Sequence, residues 1–268
     1  MTNTRSINLK PNTFTKKAAK RVYIIWAVFG WFLSFLILYP FFLVCIWFRP
    51  LRKIMPFLNQ IWCLFFFPFS FLRVKVLRET VLSKNEPVVY VSNHGSYLDI
   101  PLLTYILPGF PAFLGKASLA RIPMFGYMFR NFHIIVERGN AQGRAKALQL
   151  CRKNLNRGRS VIIFPEGSIH SKIQPGLADM KEGAFKLAIQ CQVPVIPITI
   201  CHNWYILPDD GHWLPNFYTC EAVIHKPIIT IGLKESDSQK LSYKVRSIIE
   251  DTLEEKNQTL LQKLHSEN

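Results

Sequence analysis

An uninterrupted apolar run near the N-terminus limits what this chain can fold into. Residues 22–48 contain no charged side chain, and a helix needs about 20 apolar residues to cross a bilayer. The run is too long for the apolar core of a secretory signal peptide, and no small-residue cleavage site follows it. It therefore predicts a helix that stays embedded in a membrane rather than a leader that is removed.

A second uncharged run, residues 54–72, follows a short basic stretch and is interrupted by proline and amide side chains. Basic residues flank the first run on both sides, whereas the positive-inside rule normally produces an asymmetry across a spanning helix. Symmetric flanks favour a helical hairpin immersed in the membrane with both ends on the cytosolic side, and Pro40 could help the chain turn back. One spanning helix followed by a core segment is the alternative.

The net charge and the spacing of the cysteines limit the partners and sites that we expect for this chain. The chain has 33 basic and 17 acidic side chains, a net charge of +16, and its first acidic residue is Glu79. Basic charge interleaved with apolar runs predicts contact with a bilayer that carries anionic lipids. We expect no nucleic-acid partner, since no docking motif for one is present. The 6 cysteines form no C-x-x-C pair and no zinc-binding spacing, which predicts a reducing, cytosol-facing domain without a metal site.

From residue 74 onward, short β-branched runs alternate with helical stretches. The runs predict strands at 88–92, 133–136, 160–164, 195–200 and 220–225, and helices at 140–157, 182–192 and 241–260. This alternation is typical of an α/β fold with a largely parallel twisted sheet flanked by helices. We therefore predict a basic, membrane-immersed segment at 1–73 and an α/β domain at 74–268. Sites in such sheets form at the carboxyl ends of the strands.

The segment 93–99 places a histidine and an aspartate directly after a predicted strand. His94 can project from a tight turn with Gly95 behind it, and Asp99 lies near the start of the next helix. A carboxylate that accepts from the ring fixes the tautomer and makes the other ring nitrogen more basic. The pair therefore predicts a general base. A polar turn with Asp99 at a helix start is the alternative.

The segment 164–168 also ends a predicted strand. Backbone amides around Gly167 and the hydroxyl of Ser168 could contact a phosphate or a developing oxyanion. Glu166 could bind the hydroxyls of an acceptor or orient the local loops. A plain strand-ending turn is the alternative, because Pro and Gly are common there.

These two segments belong to an ordered set of blocks that resembles a known family. The chain resembles the glycerophospholipid acyltransferases of the 1-acylglycerol-3-phosphate acyltransferase type. Members share N-H-x-x-x-x-D, F-P-E-G-[ST] and V-P-[VI]-x-P blocks, matched here at residues 93–99, 164–168 and 193–197. Residues 116–126, 134–138 and 181–184 resemble further blocks. Several ordered blocks are far more specific than one.

The resemblance implies roles for individual residues. His94 would be the base that removes a proton from a lysophospholipid hydroxyl, and Asp99 would orient its ring. Arg138 would pair with the acceptor phosphate, for which a guanidinium is well suited. Lys116 and Lys181 are further candidates for that phosphate, with a solvated surface charge as the alternative for each. The resemblance implies acyl-CoA or an acyl-carrier protein as donor co-substrate, and no further cofactor or metal.

The family also has a membrane-immersed two-helix motif at its N-terminus, which suits residues 1–73. The expected product is phosphatidic acid, made by acylating the sn-2 hydroxyl of 1-acylglycerol-3-phosphate. We expect a bacterial cytoplasmic membrane as the location, with the site on the cytoplasmic side, because no sorting signal is present.

One position departs from the family pattern. Members often carry Arg two residues after the glycine of the second block, where this chain has Ile169. The departure removes one phosphate contact of the pattern, so a different acceptor, such as a lyso-aminolipid, is an alternative. Hydrolysis of the thioester and a non-catalytic membrane scaffold are two further alternatives.

Overall fold

The N-terminal part of the molecule is a helical hairpin. The structure, a computed structural model, describes residues 14–83, 86–137 and 139–266. Helix α1 (Phe14–Trp47) and helix α2 (Met55–Phe69) are joined by a 3-10 turn (Arg49–Ile54). The helix continues through Pro40, so the suggestion that Pro40 turns the chain back is wrong. The reversal occurs in the 3-10 turn, whose second residue is a proline.

The two helices pack closely along their length. A Cβ atom at Gly30 of α1 would lie 1.9 Å from the Phe69 ring of α2, so only glycine allows this approach. Further along, Trp31 and Trp62 stack with ring centroids 5.0 Å apart. The predicted hairpin is therefore present as a packed pair of helices.

The side of the hairpin that faces away from the rest of the chain is apolar. From Lys17 to Trp47, α1 is long and apolar enough to cross a bilayer by length and composition, and no other helix among the described residues meets that test. The exposed side chains are large and hydrophobic on both helices: Val22, Ile25, Phe29, Phe32, Ile37, Phe41, Phe57, Leu64 and Phe65.

A seven-stranded sheet forms the centre of the molecule. Its strands are β1 (Val74–Arg78), β2 (Val89–Ser92), β3 (Ala112–Lys116), β4 (Ile134–Val136), β5 (Val161–Ile163), β6 (Val195–Ile200) and β7 (Cys220–Ile224). They lie in the order β1-β7-β6-β2-β5-β3-β4. All neighbours are parallel except β6 and β7. The predicted largely parallel sheet is confirmed, and the two strands that the sequence did not predict are β1 and β3.

Helices connect the strands and cover both faces of the sheet. They are α3 (Asp99–Ile106), α4 (Phe125–Phe132), α5 (Ala141–Leu155), α6 (Gly183–Cys191), α7 (Asn203–Ile206) and α8 (Ser238–Ser266). The helices predicted over 140–157, 182–192 and 241–260 correspond to α5, α6 and α8. Asn140 caps α5 as expected, since its side-chain oxygen accepts from the Gly143 amide at 2.5 Å.

Two apolar cores lie on opposite faces of the sheet. On one face, Phe67 of α2 and Leu102 of α3 pack with Ile198 of β6. On the other, Phe185 of α6 and Val245 of α8 pack against neighbouring strands. This layered packing fixes the sheet so that β2, β5 and β6 end at one edge, where the sequence places its polar motifs.

Candidate active site

A histidine–aspartate pair stands at the end of β2. His94 follows the strand by two residues, and Asp99 opens α3. The His94 Nδ1 lies 2.8 Å from Asp99 Oδ2. The same oxygen accepts from the amides of Gly95 and Ser96, both at 2.9 Å. Asp99 thus orients the ring and also closes the turn at the start of α3, as the polar-turn alternative predicts, while the general-base role stays a prediction.

The second oxygen of this carboxylate has a partner from a distant part of the chain. Asn203 Nδ2 donates to Asp99 Oδ1 at 2.9 Å. Asn203 opens α7, which follows β6, the neighbour of β2 in the sheet. Sequence reasoning missed Asn203, because its only signal is a polar residue just after a buried strand. Since Asp99 accepts from several donors and is fully buried, it can act only as a fixed acceptor for the histidine.

The environment of the imidazole leaves one nitrogen for chemistry. The His94 ring stacks on Phe164, with centroids 4.1 Å apart and planes 16° apart. Because Nδ1 donates to a carboxylate, Nε2 carries the lone pair of the neutral ring. Among the described residues Nε2 has no hydrogen-bond partner, and His94 retains 9% exposure. The ring is therefore held so that Nε2 can accept a proton from a bound molecule.

Glu166 connects this turn to its neighbours through backbone contacts. Its Oε1 accepts from the His94 amide at 2.8 Å, and its Oε2 accepts from the Ala178 amide at 2.9 Å. Burial raises the pKa of Glu166, whereas these two amides lower it. Both oxygens are occupied and the residue is 3% exposed. This geometry supports the loop-orienting role rather than direct binding of an acceptor.

Gly167 and Lys181 lie together beside the histidine turn. Gly167 has φ of +84°, and a Cβ atom there would lie 2.7 Å from Lys181 Nζ. A cavity of about 130 Å³ between β3, β5, α5 and α6 has both residues in its wall, together with apolar side chains such as Leu114 and Phe164. The hydroxyl of Ser168 is exposed and lies 3.1 Å from His170 Nε2. The Lys181 ammonium, the turn at Gly167 and the apolar wall of the cavity therefore lie together beside β5, the neighbour of the strand that precedes His94.

Of the other two predicted phosphate ligands, only Lys116 belongs to the described residues. Lys116 is exposed at the end of β3, two strands along from β2. Arg138 falls outside the described residues. In the described part of the chain, no group of His, Cys, Asp and Glu side chains could hold a metal ion.

Comparisons with known proteins cover this same region. The model of the family described as Acyltransferase matches residues 73–201. A 1-acyl-sn-glycerol-3-phosphate acyltransferase of Chlamydomonas reinhardtii is 32% identical over 232 residues, which cover 82% of this chain and 66% of the relative. A chloroplastic enzyme of that name from Arabidopsis thaliana is 33% identical, with 66% of this chain and 49% of the relative covered.

A bacterial relative and a solved structure extend the comparison. The enzyme of the same name from Haemophilus influenzae is 28% identical, with 62% of this chain and 68% of the relative covered. The crystal structure of the 1-acyl-sn-glycerophosphate acyltransferase PlsC from Thermotoga maritima has a TM-score of 0.73 at 22% identity, covers 90% of this chain and 97% of that chain, and shows the shared fold. This chain spans about half to two thirds of the length of the first relatives. The chain belongs to the acyltransferase family.

Proposed function

We propose that this protein transfers a fatty-acyl group from a thioester to the sn-2 hydroxyl of 1-acylglycerol-3-phosphate, giving phosphatidic acid. The observation that carries the proposal is the hydrogen bond between His94 and Asp99, at 2.8 Å, at the carboxyl edge of the sheet. The names of the similar proteins support the choice of acceptor.

The proposed reaction is a direct transfer. His94 Nε2 takes the proton of the acceptor hydroxyl while the hydroxyl oxygen forms a bond to the thioester carbonyl carbon. The carbonyl oxygen becomes an oxyanion, which the Ser168 amide stabilises in this proposal, because the Gly167 amide itself donates to the Phe164 carbonyl. The carbon–sulfur bond then breaks, and the imidazolium returns its proton to the departing thiolate. The donor is acyl-CoA or an acyl-carrier protein, and the proposal assigns no resident cofactor or metal.

The acceptor phosphate is assigned to the basic side of the cavity. Lys181 lies over Gly167 and is exposed, so its ammonium can pair with a phosphate in front of the turn. Ser168 can donate its hydroxyl, while Lys116 and Arg138 are the other cations of the proposal. A lyso-aminolipid is the second candidate acceptor, because Ile169 occupies a position where the family often has an arginine.

Immersion of the hairpin would bring this site to its lipid substrates. The outward side of α1 and α2 exposes large apolar side chains over most of its length, while the inward side packs on the domain. A continuous one-sided apolar surface supports immersion in one leaflet rather than a span. We place the protein at a bacterial cytoplasmic membrane with anionic lipids, with its site on the cytoplasmic side.

A panel of lysolipids, each tested with acyl-CoA and with acyl-carrier protein, tests the proposal. We expect 1-acylglycerol-3-phosphate to give the highest kcat/KM. His94→Gln and Asp99→Asn should each lower kcat by about 10²–10⁴. His225→Gln is the matched control, because His225 also binds a carboxylate, that of Glu79 at 3.2 Å, but directly after β7 and away from the site.

Each contrary result has a distinct meaning. Full activity in His94→Gln would contradict the proposed mechanism, whereas absence of acyl transfer with every lysolipid and donor would favour a scaffold. Release of free fatty acid at a rate that is independent of lysolipid would instead identify a hydrolase. Preference for a lyso-aminolipid would retain the chemistry and change the acceptor.

A further inference from the structure

A second cavity lies at the end of the sheet opposite His94. It has a volume of about 290 Å³ and opens where β3 and β5 begin. One wall comes from Arg52 of the turn between α1 and α2 and from Pro56 at the start of α2. The facing wall includes Phe110, Phe132 and Arg159. None of these residues has a role in the proposed acyl transfer.

Arg159 is held in this wall by its neighbours. Its Nε donates to the Phe110 carbonyl at 2.7 Å, and its Cζ lies 4.8 Å from the centroid of the Phe110 ring. Its Nη1 makes only a long contact, 3.4 Å, to Asn154 Oδ1. Its Nη2 is buried and has no hydrogen-bond partner among the residues that the structure describes. The guanidinium is thus fixed in place with part of its hydrogen-bonding capacity unused.

The cavity lacks a negative charge to balance its arginines. Neither Arg159 nor Arg52 lies within ion-pair distance of a carboxylate in the described ranges. Burial lowers the pKa of Arg159 to about 10, and no acidic group offsets that cost. Cations that lose part of their hydration are normally paired, because removing a charge from water is costly. Within the described ranges, the positive charge of this cavity is therefore not balanced by a carboxylate.

We propose that this cavity binds the phosphate group of an anionic phospholipid, with Arg159 and Arg52 as its counter-charges. A guanidinium suits a phosphate because its planar donors match the phosphate oxygens. The rings of Phe110 and Phe132 would pack against the glycerol and the first methylenes of the lipid.

The position of the cavity favours a lipid over a free phosphate ion. The turn that supplies Arg52 carries exposed apolar side chains, Leu51 and Ile54, next to the exposed cations Arg49 and Lys53. Apolar and basic side chains together are typical of a segment at the surface of an anionic bilayer. The inference uses the membrane association proposed above but does not depend on the chemistry of His94.

The test measures thermal unfolding of the full chain in a non-ionic detergent. Dioctanoyl-phosphatidylglycerol, dioctanoyl-phosphatidylcholine and inorganic phosphate are added separately at equal concentrations. The cavity variant is Arg52→Gln with Arg159→Gln, and the control is Arg49→Gln with Arg157→Gln. Both variants remove two positive charges, but the control residues are exposed and lie outside the cavity. Binding of phosphatidylglycerol is also measured directly by native mass spectrometry.

We expect phosphatidylglycerol to raise Tm for the wild type and the control, with phosphatidylcholine giving little change. The cavity variant should bind phosphatidylglycerol at least about tenfold more weakly, because it loses the charge-assisted hydrogen bonds to the phosphate. If the cavity variant does not fold, exposed Arg52→Gln is compared with Arg49→Gln, and only Arg52→Gln should weaken binding.

Three results would overturn the inference. Equal weakening in both double variants would indicate general surface charge, and equal effects of the two lipids would exclude recognition of an anionic headgroup. An equal rise with inorganic phosphate would assign the cavity to a free ion. The acyl-transfer assay is separate, so loss of lipid binding with activity retained, or the reverse, distinguishes this inference from the proposed function.

Discussion

The amide of His94 donates to Glu166 Oε1 at 2.8 Å, which ties the turn after β2 to the turn after β5. The other oxygen of Glu166 holds the amide of Ala178, so one buried carboxylate fixes three segments of backbone. The position of the imidazole thus depends on a residue from another strand as well as on Asp99.

Replacing Glu166 by Gln should lower activity although the side chain keeps its shape. The amide has one acceptor oxygen, so its NH2 group must face one of two backbone N–H donors, which costs about 1–3 kcal/mol. We expect a loss of Tm and a fall of about tenfold or more in kcat/KM, measured with the preferred acceptor. Glu235→Gln, at an exposed acid bonded to Gln190, is the control. Unchanged kinetics in Glu166→Gln would show that the two hydrogen bonds of Glu166 are not needed for activity.

We expect Asn203 to influence kcat through its hydrogen bond to Asp99. Asn203→Ala removes the donor to Asp99 Oδ1, and a hydrogen bond to a charged group contributes about 1.5 kcal/mol or more, which corresponds to about tenfold in rate. We expect kcat to fall with KM nearly unchanged. Asn216→Ala should leave kcat in place, and an equal change in both variants would indicate a general effect on folding.

Gly167 should tolerate no side chain without loss of function. A φ of +84° is strained for any residue other than glycine, and a Cβ atom at position 167 would lie too close to Lys181 Nζ. Gly232→Ala is a matched control, since Gly232 has φ of +83° and nothing within 4 Å of the added atom. Both variants should lose about 1 kcal/mol of stability, but only Gly167→Ala should lose activity. Equal activities, from initial rates at matched folded fractions, would remove the turn at Gly167 from the proposed site.

His133 should make the fold sensitive to acid. Burial, followed by the charge of Arg159, lowers the pKa of His133 to about 3 from 6.5. The folded state therefore keeps the ring neutral where the unfolded chain takes up a proton. Its contribution to stability is complete above pH 6.5 and is lost as the pH falls toward 3.

Replacing His133 by Gln should reduce that pH dependence. Between pH 7.5 and pH 5, the wild type should lose about 1–2 kcal/mol through this ring, measured by urea unfolding in detergent. The variant should lose correspondingly less, although its stability at pH 7.5 is lower. Exposed His212→Gln should behave as the wild type does. The same pH response in His133→Gln would assign the acid sensitivity to other groups.

Periodicity in the sequence predicted five of the seven strands and the helices α5, α6 and α8, but not the shorter helices α3, α4 and α7. It also missed β1, an edge strand whose Lys75 and Arg78 are exposed, and β3, which follows a proline-rich turn and contains Gly115. The antiparallel placement of β7 is invisible in the sequence, because strand order depends on the packing of distant helices. Likewise, His94 and Asp99 are close in sequence and could be paired, whereas Asn203 lies 104 residues from Asp99 and could not.

The one-sided apolar surface of the hairpin has a kinetic consequence. An enzyme held against a leaflet meets its acceptor by lateral diffusion in two dimensions, so its velocity is governed by the mole fraction of acceptor in the surface. Adding inert lipid at a constant total amount of acceptor should lower the velocity, because it lowers the mole fraction of acceptor in the surface. A KM expressed in bulk molarity would therefore change with the amount of detergent or lipid in the assay.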